Sequence, residues 1–265
     1  MKFGCCLNMV ATGSDGTGIE KLEKLAELGY DYVELPLAEL MALTREEFDE
    51  VKKKVKRSGI CCETCNNFFP STIHLTGTDV HMQEVMVYVD KALGRAGELG
   101  ARYVVFGSGK AKGVPEGFPI EEGYLQVTEL LKQVSPLAEK HGIMIVIEPL
   151  RKQECNLINT FEEGCLLAAA VAVPNVKVLV DFYHMAVERE PVEHLLMMGK
   201  ENLRHVHFAN PIGRAYPNQD DEADYKPFFD ALKVIGYDER ISCEAYAKDF
   251  ETEAKKTLAF FKQNW

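Results

Sequence analysis

Four residues carry the chemistry this sequence can offer: Glu148, Asp181, His207 and Glu244. Each stands at or near the end of a short apolar run, in MIVIE, VKVLVD, LRHVHF and ISCE. An acid after such a run often caps the next helix, and a single strand histidine often belongs to a core. Three acids and an imidazole meeting at one place would repel one another unless a cation sat between them, because burying unpaired charge is costly. The set therefore reads as a metal site. With three oxygen donors, one nitrogen and no thiolate, it suits Mn²⁺ best and Mg²⁺ or Co²⁺ next, with Zn²⁺ less suited. His205, two residues before His207, shares its strand face and is expected one layer deeper, in the core or supporting the ligands.

The elements that must bring these four together can be read from the alternation of short apolar runs with longer amphipathic stretches. Strands are expected over 2–6, 32–34, 60–66, 103–106, 144–148, 176–181, 203–208 and 240–244. They are mostly apolar, as strands covered on both faces should be. Helices are expected over 18–28, 44–58, 80–99, 121–141, 160–171, 191–199, 225–235 and 250–262. Five of them run into a glycine of the helix-stopping kind: Gly29, Gly59, Gly100, Gly142 and Gly236. Eight strand-then-helix units predict an α/β (β/α)₈ barrel, a TIM barrel, formed by residues 1–265 as a single domain. In that fold the carboxyl ends of the strands form the catalytic face, which is where the four candidate ligands fall. A doubly wound sheet is the rival, but the glycines in GSDGTG after the first strand do not make a dinucleotide-binding turn.

Composition narrows the function. The 265 residues carry a net charge of −11, which disfavours nucleic acid as a partner. The start, MKFGCCLNMV, lacks an apolar leader core, and no apolar run reaches the roughly 20 residues of a membrane span. A cytoplasmic location with no membrane partner is expected. The eight cysteines then read as free thiols. Cys62 and Cys65 form a C-x-x-C, but in a regular strand they would point to opposite faces, so structural thiols are the expectation.

The motifs IEPL (147–150), ECNLINT (154–160), VDFYHM (180–185), HVHFAN (205–210) and ISCEAY (241–246) resemble, in order and spacing, those of the xylose-isomerase-like sugar phosphate isomerase/epimerase family. Within it, the ketose 3-epimerases are most similar. The resemblance covers most of the chain and implies a metal-dependent epimerase or isomerase acting on a ketose or ketose phosphate. It further implies that Glu148 and Glu244 are both ligands and acid/base catalysts. One would take the proton next to the carbonyl to give a cis-enediolate, and the other would return a proton on the opposite face. Asp181 and His207 would be ligands only. His184, Glu154 and Arg214 match substrate-contacting positions, although Arg214 lies one residue further from the ligand histidine than the family pattern has it. The family also implies a homodimer or homotetramer.

The chain departs from the family after Glu-Pro-Leu. Arg151, Lys152 and Gln153 stand where an Asn-Arg-aromatic run is usual, and GSGKAK (107–112) adds Lys110 and Lys112. These cations would suit an anionic substrate. CNNFFP (65–70) ends the third strand, and Asn67 is the candidate there for a sugar hydroxyl, beside aromatic rings. Three other activities fit the same barrel: a lyase or dehydratase acting on a keto-sugar or inositol ketone, an endonuclease-IV-like phosphodiesterase, and a non-catalytic sugar-binding subunit. The phosphodiesterase lacks a histidine at Gly107–Ser108, and intact twin glutamates disfavour the binding subunit.

Overall fold

The computed structural model describes residues 1–221 and 223–265; Glu222, in the polar stretch 211–224 that follows the seventh strand, lies outside them. Eight parallel strands close on themselves in sequence order. They are β1 (Lys2–Cys6), β2 (Tyr32–Pro36), β3 (Cys61–Asn66), β4 (Tyr103–Phe106), β5 (Met144–Ile147), β6 (Val176–Asp181), β7 (Leu203–Phe208) and β8 (Arg240–Cys243). The barrel expected from the sequence is therefore present. Among the described residues the helices are α1 (Leu22–Leu28), α2 (Leu37–Ala42), α3 (Arg45–Ser58), α4 (Met82–Leu99), α5 (Gly109–Lys112), α6 (Ile120–Lys140), α7 (Phe161–Val171), α8 (Phe182–Val187), α9 (Glu193–Asn202), α10 (Lys226–Val234) and α11 (Phe250–Asn264). The short α2, α5 and α8 were not expected. Each starts within two or three residues of a strand end, too short a span for a period of 3.6 to show.

Local chemistry sets the helix limits. Thr44 and Thr160 cap α3 and α7 in reciprocal capping boxes with Glu47 and Glu163, which satisfies backbone N–H groups that the first turn leaves free. Five helices run out through the expected glycines, all at positive φ. At Gly100, with φ at 88°, the backbone N–H turns back to the carbonyls of the last turn of α4, a conformation that a side chain would strain.

Two apolar clusters reveal which residues face inward. Val105, Val146 and Leu179 pack together with Tyr103 and Met144, apart from the larger cluster that fills the space between sheet and helices. These inward residues fix the phase on β4, β5 and β6. Stepping two residues at a time then brings Glu148 and Asp181 to the inner rim.

The interior beneath that rim depends on a missing side chain. Gly4 is in register with Tyr32 on one side and Ser242 on the other. The Tyr32 ring lies across Gly4, and its hydroxyl reaches Ser242 Oγ at 2.7 Å. A Cβ on Gly4 would stand 2.2 Å from that ring.

One expectation about the cysteines fails. Opposite β2, the register steps from Cys62 to Thr64, so Glu63 is bulged out and the strand changes phase. Cys62 and Cys65 are therefore not on opposite faces: both lie in the cluster between sheet and helices, and the neighbouring Cys62 thiol together with burial pushes Cys65 far above the usual thiol range. Both are buried free thiols.

Two glycine substitutions test this packing. Gly4→Ala should cost about 1–3 kcal/mol, the penalty for overfilling a packed core. Gly94→Ala, within α4 where an added Cβ meets nothing within 4 Å, should stabilise by about 0.5–1 kcal/mol. Urea unfolding of both variants measures the contrast, and equal effects would contradict the interior described.

Candidate metal and acid–base centre

Glu148 lies one residue beyond β5, and Glu244 lies one residue beyond β8. Both still continue the ladder through their backbone: Glu148 N donates to Phe106 O at 3.2 Å and Glu244 N to Phe208 O at 3.1 Å. Asp181 closes β6 and His207 is the penultimate residue of β7. All four are buried. Each offers one ligand atom, and these atoms lie within 4.8 Å of one another. The barrel thus brings together the four residues singled out from the sequence.

His207 sits between the two glutamates, with Nδ1 3.0 Å from Glu148 Oε1 and 3.2 Å from Glu244 Oε2. Asp181 combines two roles. Its Oδ1 accepts from Tyr183 N at 2.9 Å and caps α8. Its Oδ2 faces Arg214 Nη2 at 3.2 Å and His184 Nε2 at 3.5 Å. The helix cap and the site acid are thus one residue.

The electrostatics are those of a group short of positive charge. Burial, offset in part by Arg214 and reinforced by Glu244 and Glu148, pushes the Asp181 carboxyl up to about 7. Burial also raises Glu148, against the pull of His207 and with the push of Glu244. Glu244 goes the other way. Burial opposes its charge, but His207 and Arg214 prevail and hold it well below the usual carboxylate range. A divalent ion among these oxygens would relieve the repulsion, and the hard donor set fits one.

Around this group lie the expected substrate contacts. His184 Nδ1 accepts from Arg151 N at 3.3 Å, so its proton sits on Nε2, which has no hydrogen-bond partner among the described residues. Burial, together with the nearby Arg214 guanidinium, lowers this imidazole to about 3. It is a neutral donor beside Asp181. Glu154 Oε1 accepts from Arg151 Nε at 2.6 Å, and Glu154 Oε2 is 4.0 Å from His184 Nε2. Arg214 bonds both Asp181 and Glu244, and its guanidinium lies 4.8 Å from the Tyr183 ring centre. Its φ of 49° follows Gly213 at 73°. That tight left-handed turn brings it to the candidate ligands despite the extra residue in the loop.

Asn67 is not in this group. Its carboxamide donates to Glu39 Oε1 at 3.3 Å, and it lines a groove of about 480 Å³ with Glu39, Phe69, Ser108 and Lys110. Its neighbour Asn66 is the amide at the candidate ligands, donating to Glu244 Oε1 at 2.9 Å. The bulge at Glu63 sets which of the two amides faces Glu244, and counting by twos along a regular strand cannot foresee it. Lys112 is a second departure. Read from sequence as a loop cation, it is fully buried, and Nζ donates to the carbonyls of Glu148 at 2.7 Å and Phe106 at 3.4 Å. Glu34 was not singled out from the sequence: it is buried beneath the candidate ligands and bonded to His207 and His205 at 2.9 Å each. The one available sign was an acid inside the otherwise apolar YVELP.

With fold and site described, comparison with known proteins places the chain. The family model of the xylose isomerase-like TIM barrel matches residues 22–264, and the chain belongs to that family. A ketose 3-epimerase of Arthrobacter globiformis is 24% identical, over 100% of this chain and 91% of its own length. An L-ribulose 3-epimerase of Methylomonas sp. (strain DH-1) is 25% identical, over 91% of this chain and 82% of its own length. A solved D-psicose 3-epimerase, crystallised in the presence of D-fructose, superposes with a TM-score of 0.86 at 20% identity, covering 99% of both chains. The resemblance to ketose 3-epimerases seen in the motifs is thus borne out. No helix among the described residues is long and apolar enough to cross a membrane.

The raised Asp181 carboxyl gives a pH test. Its folded value, about 7, lies above its ordinary 3.8. Its contribution to metal-free stability is therefore fully present below pH 4 and lost as pH rises through about 7. Asp181→Asn, which cannot ionise, should stabilise the metal-free protein by about 2–4 kcal/mol at pH 8 and not at pH 4. Denaturant unfolding with a chelator present measures this, and an equal effect at both pH values would refute it.

Proposed function

We propose that this protein is a divalent-metal-dependent sugar epimerase that inverts the carbon next to the carbonyl of a free ketose, with Glu148 and Glu244 as the two proton-transfer groups. The observation that carries the reading is the approach of both glutamates to one point, His207 Nδ1, at 3.0 and 3.2 Å. Inversion at a carbon acid needs two bases on opposite faces of a planar intermediate. Two carboxylates on non-adjacent strands meet that need, and a substrate between them has one on each side. The relatives named as ketose and L-ribulose 3-epimerases support the same reaction class.

Glu148, Asp181, His207 and Glu244 would hold the metal, with Mn²⁺ favoured by the donor set and Mg²⁺ or Co²⁺ next. When bound, it would supply Lewis-acid stabilisation of the negative charge that develops on the substrate oxygens. The chain's own residues do the rest. One glutamate removes the proton α to the carbonyl, leaving a cis-enediolate, and the other delivers a proton to the opposite face. The His184 Nε2–H, neutral and otherwise unpartnered, donates to a substrate oxygen. Arg214 holds Glu244 ionised and, with Glu154, borders the space a sugar would enter.

A free ketose is preferred to a phosphorylated one because two of the four cations that suggested an anion are already engaged, and a third, Lys152, is exposed to solvent. Arg151 is paired with Glu154, and Lys112 is buried against main-chain carbonyls. The groove beside the site opposes the one charge of Lys110 with Asp15 and Glu39.

The test is a screen of ketoses and ketose phosphates with Mn²⁺ in D₂O. A free ketose should gain solvent deuterium at the carbon next to the carbonyl and yield its epimer without loss of water. Glu148→Gln and Glu244→Gln should each lower kcat by about 10²–10⁴-fold. Loss of water would instead mark a dehydratase, and unchanged turnover in either variant would end the two-glutamate reading.

A further inference from the structure

Beneath the four ligands lies a buried carboxylate whose partners are all side chains of other strands. Glu34, on β2, is fully buried. Its Oε1 faces His207 Nε2 at 2.9 Å, and its Oε2 faces His205 Nε2 at 2.9 Å. Oε2 also accepts from Ser242 Oγ at 2.6 Å, whose hydroxyl is shared with Tyr32 at 2.7 Å. An ionised carboxylate only accepts hydrogen bonds, so each imidazole must bring an N–H to it. The two nitrogens of His207 are therefore not equivalent. Nδ1 faces Glu148 and Glu244, themselves members of the ligand group. Nε2 faces the one carboxylate outside that group. A proton on Nε2 keeps its partner when a cation enters, and Nδ1 is the nitrogen left to face the cation.

We infer that Glu34 is a positioning residue that fixes the tautomer and ring orientation of His207, so that Nδ1 presents its lone pair to the divalent cation. The inference rests on His207 being a ligand, as proposed above. It assigns Glu34 the part of the outer carboxylate in a carboxylate–histidine–metal arrangement, which orients the ring and raises its basicity. It also explains a second cluster. Cys6 Sγ lies 3.9 Å from the same Nε2, and Cys6, Glu34 and His207 are close enough together to suggest another metal group. With the Nε2 proton held by Glu34, that trio offers a cation no nitrogen. Cys6 is buried under the ring as a neutral thiol.

Two measurements that do not depend on turnover test this. Calorimetric titration with Mn²⁺ should show wild type binding and Glu34→Gln binding about 10–100-fold more weakly. The amide of glutamine cannot accept from both imidazoles, and turning its NH₂ toward Nε2 favours the wrong tautomer. In the wild-type protein loaded with diamagnetic Zn²⁺, long-range ¹H–¹⁵N spectra should show His207 protonated at Nε2 and metal-bound at Nδ1. If Glu34→Gln does not fold, the spectrum decides alone. A folded Glu34→Gln of unchanged Mn²⁺ affinity, or a His207 metallated at Nε2, would overturn the inference. Wild type that binds no Mn²⁺ would instead refute the metal reading itself.

Discussion

The constraint on which this structure turns is the burial of three carboxylates within reach of one another. Like charges in a low-dielectric interior repel strongly, and a chain folding without function as a criterion would not collect them. Each feature around Glu148, Asp181 and Glu244 can be read as an answer to that repulsion. Arg214 bonds two of the three, His207 faces the other pairing, and Asn66 donates to Glu244. Asp181 gives one oxygen to a helix cap. These answers are partial, since Asp181 and Glu148 remain raised. The remaining deficit of positive charge is what a divalent ion would fill.

The barrel supplies rigidity where the charges need it. Backbone ladders reach past the ends of β5 and β8 to Glu148 and Glu244, so neither glutamate hangs on a free loop. Below them the interior changes character. The polar network of Tyr32, Ser242, Glu34 and His205 spans β2, β8 and β7, while Val105, Val146 and Leu179 fill the other side. One flank of the barrel holds the imidazole in place by hydrogen bonds and the other excludes water by packing. Crowding at the rim is also specific. A Cβ on Gly107 would stand 2.1 Å from Glu148 Oε2, so β4 can add no ligand there. This removes the position a further metal ligand would need in a phosphodiesterase of this fold.

Much of this was legible in the sequence, for physical reasons. The strands were visible because residues buried on two faces must be apolar, and several helix ends because glycine tolerates the left-handed turn that closes them. The four candidate ligands were visible because an acid or imidazole ending an apolar run has few inconspicuous explanations. What was hidden depended on contacts distant in sequence or on a change of phase. Glu34 meets its imidazoles 171 and 173 residues away, and nothing near YVELP announces them. That Asn66 rather than Asn67 donates to Glu244 was hidden because a bulge at Glu63 shifts β3. Lys112 looked like a solvated loop cation because its four-residue helix α5 is too short to show a buried face.

Charge accounting also bears on which substrate the proposed reaction would take. Arg214 and a divalent ion together match the three ligand carboxylates, and Arg151 is matched by Glu154. With the Glu34 carboxylate beneath them also counted, the site so described is not positive before substrate enters, and among the described residues its buried groups leave no surplus cation for a phosphate. What it retains, among the described residues, is an unpartnered donor, His184 Nε2, held neutral by burial and aimed beside Asp181. A neutral donor is poorly suited to hold a permanent anion. It is well suited to an oxygen that gains charge only as the carbon-bound proton leaves, because its hydrogen bond strengthens as that charge develops. On the proposed reading, the same shortage of positive charge that calls for the metal also favours a substrate that becomes anionic in the reaction over one that arrives so.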